Sequence, residues 1–105
     1  MRSRLTAVKD WKKLAISAEF RPANVAALCS TSLRHFERFS LETFGKTPKA
    51  WLREIQCHLA RELIMQGYSN KAVRVELKFA SDSHFCHEFK RVFGQSPQTY
   101  APLIA

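Results

Sequence analysis

The sequence predicts an all-α protein in which one long central helix joins two helix-turn-helix subdomains, with about seven helices in all. Hydrophobic residues recur at spacings of three and four along the 105-residue chain, and the alternating Val, Ile and Thr runs typical of strands are missing. A hydrophobic content of 46%, with eight Phe and two Trp, is sufficient for a compact core. In addition, a segment in the middle of the chain recurs near its end.

The repeated segment keeps the same landmarks in the same order. A His-Phe pair is followed nine residues later by Phe-Gly, then by Thr-Pro or Ser-Pro, and then by Trp or Tyr. The offset is 49 positions throughout, and it also relates Leu28 to Leu77. The first copy contains Ser32, His35-Phe36, Phe44-Gly45, Thr47-Pro48 and Trp51, and the second contains Ser81, His84-Phe85, Phe93-Gly94, Ser96-Pro97 and Tyr100. One supersecondary unit therefore occurs twice.

The first four helices are bounded by residues that start or stop helices. Pro22 suits the first turn of the second helix, and Ser32 is a typical N-cap for the third. Gly45 ends the third helix in a left-handed conformation, and Thr47 with Pro48 opens the fourth. At 1.5 Å per residue, the fourth helix is about 27 Å long. The four helices cover about residues 6–19, 22–29, 33–44 and 48–65.

Three shorter helices follow the same rules. Gly67 ends the long helix, and the fifth helix begins near Ser69. Ser81 caps the sixth helix and Gly94 ends it, after which Ser96-Pro97 opens a short last helix. These elements cover about residues 69–77, 82–93 and a short stretch from 97.

The apolar stripes of the helices give a candidate core. Their apolar residues are Val8, Trp11, Ala15, Ala18, Val25, Ala26, Leu28, Phe36, Phe39, Phe44, Trp51, Leu52, Ile55, Leu59, Leu63, Val73, Leu77, Phe85, Phe89, Val92 and Phe93. Residues 1–105 form a single domain, which divides into subdomain one over about 6–46, a linker helix over about 48–65 and subdomain two over about 67–102.

Charge and cysteine usage narrow the function. Seventeen Lys and Arg against nine Asp and Glu give a net charge of +8, which favours an anionic partner such as DNA, RNA or a lipid surface. No run reaches the ~18 apolar residues of a membrane span, and no apolar segment of a signal peptide follows the basic start. Three widely spaced cysteines, Cys29, Cys57 and Cys86, indicate reduced, semi-buried thiols of a cytoplasmic protein.

Helices two and three, and again five and six, have the layout in which a second helix enters the DNA major groove. The outward faces of those second helices carry Arg, Glu, Ser and His, which suit base edges. The two Thr-Pro and Ser-Pro helix starts offer backbone N–H groups to phosphates. A linking helix of ~27 Å is compatible with reading helices about one DNA turn apart, so that both enter successive major grooves.

The chain resembles the DNA-binding domain of the AraC/XylS family of bacterial transcription regulators over about residues 8–101. The resemblance rests on Val25-Ala26, on Ser32-x-Arg34-His35-Phe36-x-Arg38, on Ala60-Arg61-Glu62-Leu63, and on the run from Phe79 to Tyr100. It implies two helix-turn-helix subdomains on a rigid helix that bind double-stranded promoter DNA and recruit or block RNA polymerase. It further implies base reading by Arg34, Glu37 and Arg38 in the first unit and by Ser83, His84 and His87 in the second.

Four residues depart from the family's pattern. Lys78 stands where Gly is common, Arg74 where a small residue is usual, Ser40 where an apolar residue is usual, and His87 where a long donor is usual. The imidazole of His87 makes its contact sensitive to pH.

Phosphate contacts are expected from both units. The expected phosphate-contacting residues are Ser32, Thr47, Lys49, Ser81, Lys90, Arg91, Ser96 and Gln98.

We expect neither a cofactor nor catalysis. His84, Cys86 and His87 splay too widely on one helix to bind a metal, and Cys57-His58 has no orienting third group. The leading interpretation is a sequence-specific transcription regulator that acts as a monomer on an asymmetric site in the bacterial cytoplasm, associated with the nucleoid. Two alternatives stay open: a helical protein-interaction module that has lost base readout, and a non-specific DNA-binding protein driven by charge.

Overall fold

A computed structural model describes Leu5 and residues 8–102. These residues form six α-helices and a C-terminal 3₁₀ helix without any strand, which confirms the all-α prediction. The bounds of the third, fourth and sixth helices are as predicted, whereas the first helix is shorter. The helices are α1 (Trp11–Ser17), α2 (Pro22–Leu28), α3 (Leu33–Phe44), α4 (Pro48–Met65), α5 (Asn70–Glu76), α6 (Asp82–Phe93) and the 3₁₀ helix (Pro97–Tyr100).

The first helix begins late because Asp10 caps it. The Asp10 carboxylate accepts a hydrogen bond from the Lys13 backbone N–H at 3.0 Å, which fixes Trp11 as the first helical residue. The predicted start at Thr6 lies outside the described residues, as does the basic segment 1–4 in which a signal peptide was sought.

The chain divides into two compact units between Ile55 and Gln56, within α4. Unit 1 contains α1, α2, α3 and the beginning of α4. Unit 2 contains the rest of α4, α5, α6 and the 3₁₀ helix. In each unit a short helix, α2 or α5, is followed by a helix of 12 residues, α3 or α6. This is the helix-turn-helix arrangement.

The longer helix begins and ends in the same way in both units. The hydroxyls of Ser32 and Ser81 each accept a hydrogen bond at 3.0 Å from the backbone N–H three residues on. Gly45 and Gly94 end the helices at φ +71° and +76°. A Cβ at either glycine would meet open space, so the left-handed backbone alone requires Gly there.

Aromatic rings dominate the core of unit 1. Phe36 is fully buried, and the rings of Phe44 and Trp51 stack with centroids 4.3 Å apart. Trp11 packs edge-on against Trp51 at 4.8 Å. Ser40 is also fully buried, and its hydroxyl donates to the Lys46 carbonyl oxygen at 2.6 Å. This hydrogen bond explains how a polar residue occupies a position where an apolar one is usual.

The core of unit 2 combines aromatic rings with a polar link. Phe85 and Phe89 are fully buried, and the Arg61 guanidinium lies 4.6 Å from the centre of the Phe93 ring. Gln56, buried and not predicted in the core, donates to the Leu77 carbonyl oxygen at 2.7 Å. This bond ties α4 to the end of α5 within the unit, where the carbonyl has no helical partner.

The repeat is less regular than the sequence predicts. Leu28 is 54% exposed whereas Leu77 is buried at 5%. Leu28 is therefore not a core residue, and the predicted equivalence of these two residues is wrong. The buried counterpart of Leu77 is Cys29, at an offset of 48, and matching backbone hydrogen bonds end both short helices. These bonds run from Cys29 to Val25 and from Thr31 to Ala26 in unit 1, and from Leu77 to Val73 and from Phe79 to Arg74 in unit 2.

The change of offset means that the turn of unit 2 is one residue longer than that of unit 1. The short helices correspond at an offset of 48 and the long helices at 49, so the residue following Phe79 is an insertion. The same alignment places Arg74 opposite Ala26, which is buried in unit 1. A second prediction also needs correction, because Cys86 is exposed whereas Cys29 and Cys57 are buried.

Candidate nucleic-acid interface

The outward face of α3 carries three of the predicted base-reading residues. Arg34, Glu37 and Arg38 are all exposed, on the side of the helix opposite the buried Phe36. At spacings of three and four they are neighbours on one helical surface. Neither guanidinium has an ion-pair partner among the residues that the structure describes. Two long, charged donors are therefore available on this face.

The predicted base-reading positions of α6 carry shorter and less charged side chains than those of α3. Ser83 and His87 are exposed, one helical turn apart, and face away from the buried Phe85 and Phe89. His84 is only half-buried: its ring lies 6.1 Å from that of Phe79, and its Nδ1 is enclosed without a hydrogen-bond partner. The structure thus brings Ser83 and His87 together and places His84 at the border of the face.

Cys86 also belongs to the outward face of α6, and the sequence reading missed it. The long helices correspond at an offset of 49, so Cys86 occupies the position that Glu37 has in α3. It is exposed, as Glu37 is. The offset that revealed the repeat was itself the signal that could have identified this residue.

The residues predicted to contact phosphate are all exposed. The Thr47 hydroxyl caps α4 by accepting a hydrogen bond from the Ala50 N–H at 3.2 Å. Arg91 is held by Glu88 in an ion pair of 2.8 Å, so a phosphate would compete with that carboxylate. Ser32 and Ser81 cap their helices, and the remaining candidates are Lys49, Lys90, Ser96 and Gln98.

The turn before α6 and the helix α5 that precedes it each contain one departure from the usual pattern. Lys78 has φ +63°, a left-handed conformation that favours Gly, as Ser30 has at the matching place in unit 1. The Arg74 Nε lies 2.7 Å from a carboxylate oxygen of Asp82, the first residue of α6. The side chain therefore extends across the turn to an acidic partner, and the guanidinium charge is paired at the start of α6.

Comparison with known proteins agrees with this geometry. The family model described as a helix-turn-helix domain, of the AraC type, matches residues 25–102, which include both turns and both outward-facing helices. The chain belongs to this family. The resemblance that the sequence indicated is thereby confirmed, and so are the two helix-turn-helix units that it implied.

Two curated bacterial relatives of this helix-turn-helix chain are transcriptional regulators by name. The HTH-type transcriptional regulator GlxA of Rhizobium meliloti (strain 1021) is 33% identical over 94 residues, which cover 89% of this chain and 29% of the relative. An uncharacterized HTH-type transcriptional regulator of Haemophilus influenzae is 29% identical over 82 residues, covering 77% and 28%. The chain therefore spans less than a third of either relative. No solved structure matches the chain significantly.

The described residues contain neither a membrane-spanning helix nor a metal-binding cluster. None of their helices is long and apolar enough to cross a membrane. No three of their His, Cys, Asp and Glu side chains come together as a metal-binding group.

Proposed function

We propose that this protein is a transcription regulator that binds double-stranded DNA at a specific sequence, with α3 and α6 each entering a major groove. One observation carries the proposal: in a helix-turn-helix domain, both capped helices present polar, exposed side chains away from an aromatic core. Such a helix fits the major groove, whose base edges offer a distinct pattern for each base pair.

The side chains of α3 determine the bases that unit 1 recognises. The guanidinium groups of Arg34 and Arg38 each match the paired acceptors of guanine, and the Glu37 carboxylate matches the amino group of cytosine. Since neither guanidinium is tied to a carboxylate in the described part of the chain, both are available without breaking an ion pair. Unit 1 therefore reads a G/C-containing half-site.

Unit 2 reads its half-site with shorter groups. Ser83 and His87 reach less far than Arg, and His84 is half-buried against Phe79. The affinity of unit 2 for DNA depends more on phosphate contacts, made by Lys90 and the helix caps. Such contacts position a protein on DNA without specifying the sequence. Because the two faces differ, the preferred site is asymmetric, and one copy of the chain binds it as a monomer.

Regulation follows from where such a protein binds. Bound at a promoter, this domain would recruit or obstruct RNA polymerase, which places its action on the nucleoid in the cytoplasm. The net charge of +8 supports fast, salt-dependent attraction to DNA. No catalytic step is part of this function.

The proposal is tested by selecting bound duplexes from a random library of 25 base pairs at ~150 mM salt, followed by sequencing. Two motifs about ten base pairs apart are expected, with the stronger one containing guanine. A single motif would assign base reading to unit 1 alone. Absence of enrichment, with a protein that is folded by circular dichroism, would reject the proposal in favour of a protein-interaction module or of charge-driven, non-specific binding.

A further inference from the structure

Leu41 is an exposed apolar residue on the outward face of α3. It lies one turn beyond Glu37 and Arg38 on the same side of the helix, and 54% of it is exposed. The equivalent residue of α6, at the offset of 49, is Lys90. Unit 1 therefore presents an isobutyl group where unit 2 presents a cation that a phosphate can bind.

An apolar groove continues from Leu41 along unit 1. It has a volume of about 330 Å³ and opens beside α3, between the first residues of α2 and those of α4. Leu33 and Leu41 form its α3 side, with Glu37 between them. The other lining residues are Pro22, Thr47, Pro48 and Lys49.

We propose that Leu41 is a specificity-determining residue that recognises thymine through its 5-methyl group. The inference rests on the proposed function, because it takes α3 as the helix that enters the major groove. There, the thymine methyl is the apolar group that a base pair offers, and contact with an apolar side chain identifies it. An isobutyl group cannot bind a phosphate, so Leu41, the counterpart of Lys90, has a different role in unit 1.

The position of Leu41 on α3 also locates the thymine. Leu41 is seven residues after Arg34, or about 10 Å along the helix. At 3.4 Å per base step, this distance corresponds to roughly three base pairs. We therefore expect a thymine about three base pairs from the guanine that Arg34 contacts, within the half-site of unit 1.

The test uses a duplex selected by the 105-residue chain and replaces each thymine in turn by deoxyuridine, which lacks only the 5-methyl group. At one thymine of the unit 1 half-site, we expect the dissociation constant to rise about fourfold, the effect of losing one buried methyl group. In the Leu41→Ala variant, thymine and deoxyuridine at that position should bind equally. The loss from the two changes together should therefore be smaller than the product of the separate losses.

Leu28→Ala is the matched control. Leu28 is 54% exposed, as Leu41 is, but it lies on α2 outside the groove. This variant should keep the full preference for thymine over deoxyuridine. Both leucines are exposed, so both variants should fold, which circular dichroism and the melting temperature will verify.

Other outcomes overturn the inference in distinguishable ways. If a motif is selected but no deoxyuridine weakens binding, the proposed function stands and the role of Leu41 is wrong. If Leu41→Ala weakens binding to thymine and deoxyuridine duplexes equally, Leu41 does not contact the methyl group. If Leu41→Ala leaves every duplex unaffected, the groove does not face DNA and is free for a protein partner. If no motif is selected, the proposed function itself fails, and this inference fails with it.

Discussion

Arg38 is the residue on which the proposed base reading depends most directly. It is exposed on the outward face of α3, and it forms no ion pair with a carboxylate in the described part of the chain. A guanidinium that binds guanine through two hydrogen bonds contributes about 1–3 kcal/mol of discrimination against the wrong base. Arg38→Ala should therefore weaken binding to the selected duplex by that amount and relax the preference at one base position.

Lys13→Ala is the control for this prediction. Lys13 is exposed on α1, and removing its side chain deletes the same unit of charge without touching α3. It should weaken all duplexes slightly and to the same extent, because a lost non-specific contact carries no sequence information. Fluorescence anisotropy with the selected duplex and single-base variants measures both effects. Equal losses on every duplex for Arg38→Ala would show that Arg38 binds phosphate.

The sequence predicted individual residues well where a side chain must be inside or outside a regular helix. Phe36, Phe85 and Phe89 are buried and Arg34 and Arg38 exposed because helical periodicity alone determines those positions. It could not predict that the Ser40 hydroxyl donates a hydrogen bond to a carbonyl oxygen six residues on, or that the His84 ring packs against Phe79. Both depend on how the chain continues after a turn, which periodicity does not encode.

At the scale of elements, the longer turn of unit 2 carries a conformational cost. Lys78 has φ +63°, and a left-handed conformation costs an L-residue with a Cβ roughly 1–2 kcal/mol. Glycine avoids most of this cost, although it loses more entropy on folding. Lys78→Gly should therefore raise the free energy of unfolding by about 1 kcal/mol, as measured by urea denaturation.

Lys78→Ala separates the backbone from the charge. Alanine keeps the unfavourable conformation but removes the ammonium group, so its stability should stay within about 0.5 kcal/mol of the parent protein. Both variants lose the same charge and should weaken non-specific DNA binding equally. If Lys78→Gly were no more stable than Lys78→Ala, the left-handed conformation would not be costly in this turn.

The turns also show where prediction of elements failed. The bounds of α3, α4 and α6 followed from Ser and Thr caps and from Gly stops, which are local signals. The predicted offset of 49 was wrong for the short helices, which correspond at 48. Leu28 and Leu77 are the same type of residue, but they occupy different places in the hydrogen-bonding pattern. One inserted residue in a turn changes which residues of the two short helices correspond, and residue type alone does not reveal it.

At the scale of the whole molecule, one fold pattern carries two outward faces of different chemistry. Both units have the same serine caps and glycine stops, and both cores contain packed aromatic rings. Their outward faces differ at each corresponding place: Arg34 against Ser83, Glu37 against Cys86, and Arg38 against His87. Core residues keep the fold, and exposed residues are free to vary. This division makes an asymmetric binding site the natural expectation for a single chain.

The three cysteines provide a test of whether α6 itself touches DNA. Cys86 is exposed on its outward face, whereas Cys57 and Cys29 are buried, and burial raises the pKa of the Cys29 thiol. Because the thiolate is the reactive form, iodoacetamide at pH 7.5 should modify Cys86 first in the free protein. If α6 lies in the major groove, saturating amounts of the selected duplex should slow this reaction at least about tenfold.

Mass spectrometry follows the reaction, and Cys86→Ser should lack the fast phase. In denaturant, all three thiols should react, which shows that folding protects the other two. A random duplex at the same concentration and ~150 mM salt should protect Cys86 far less, because specific complexes are on the order of a thousandfold tighter. An unchanged rate at saturation would mean that α6 stays outside the groove and that unit 1 alone reads the sequence.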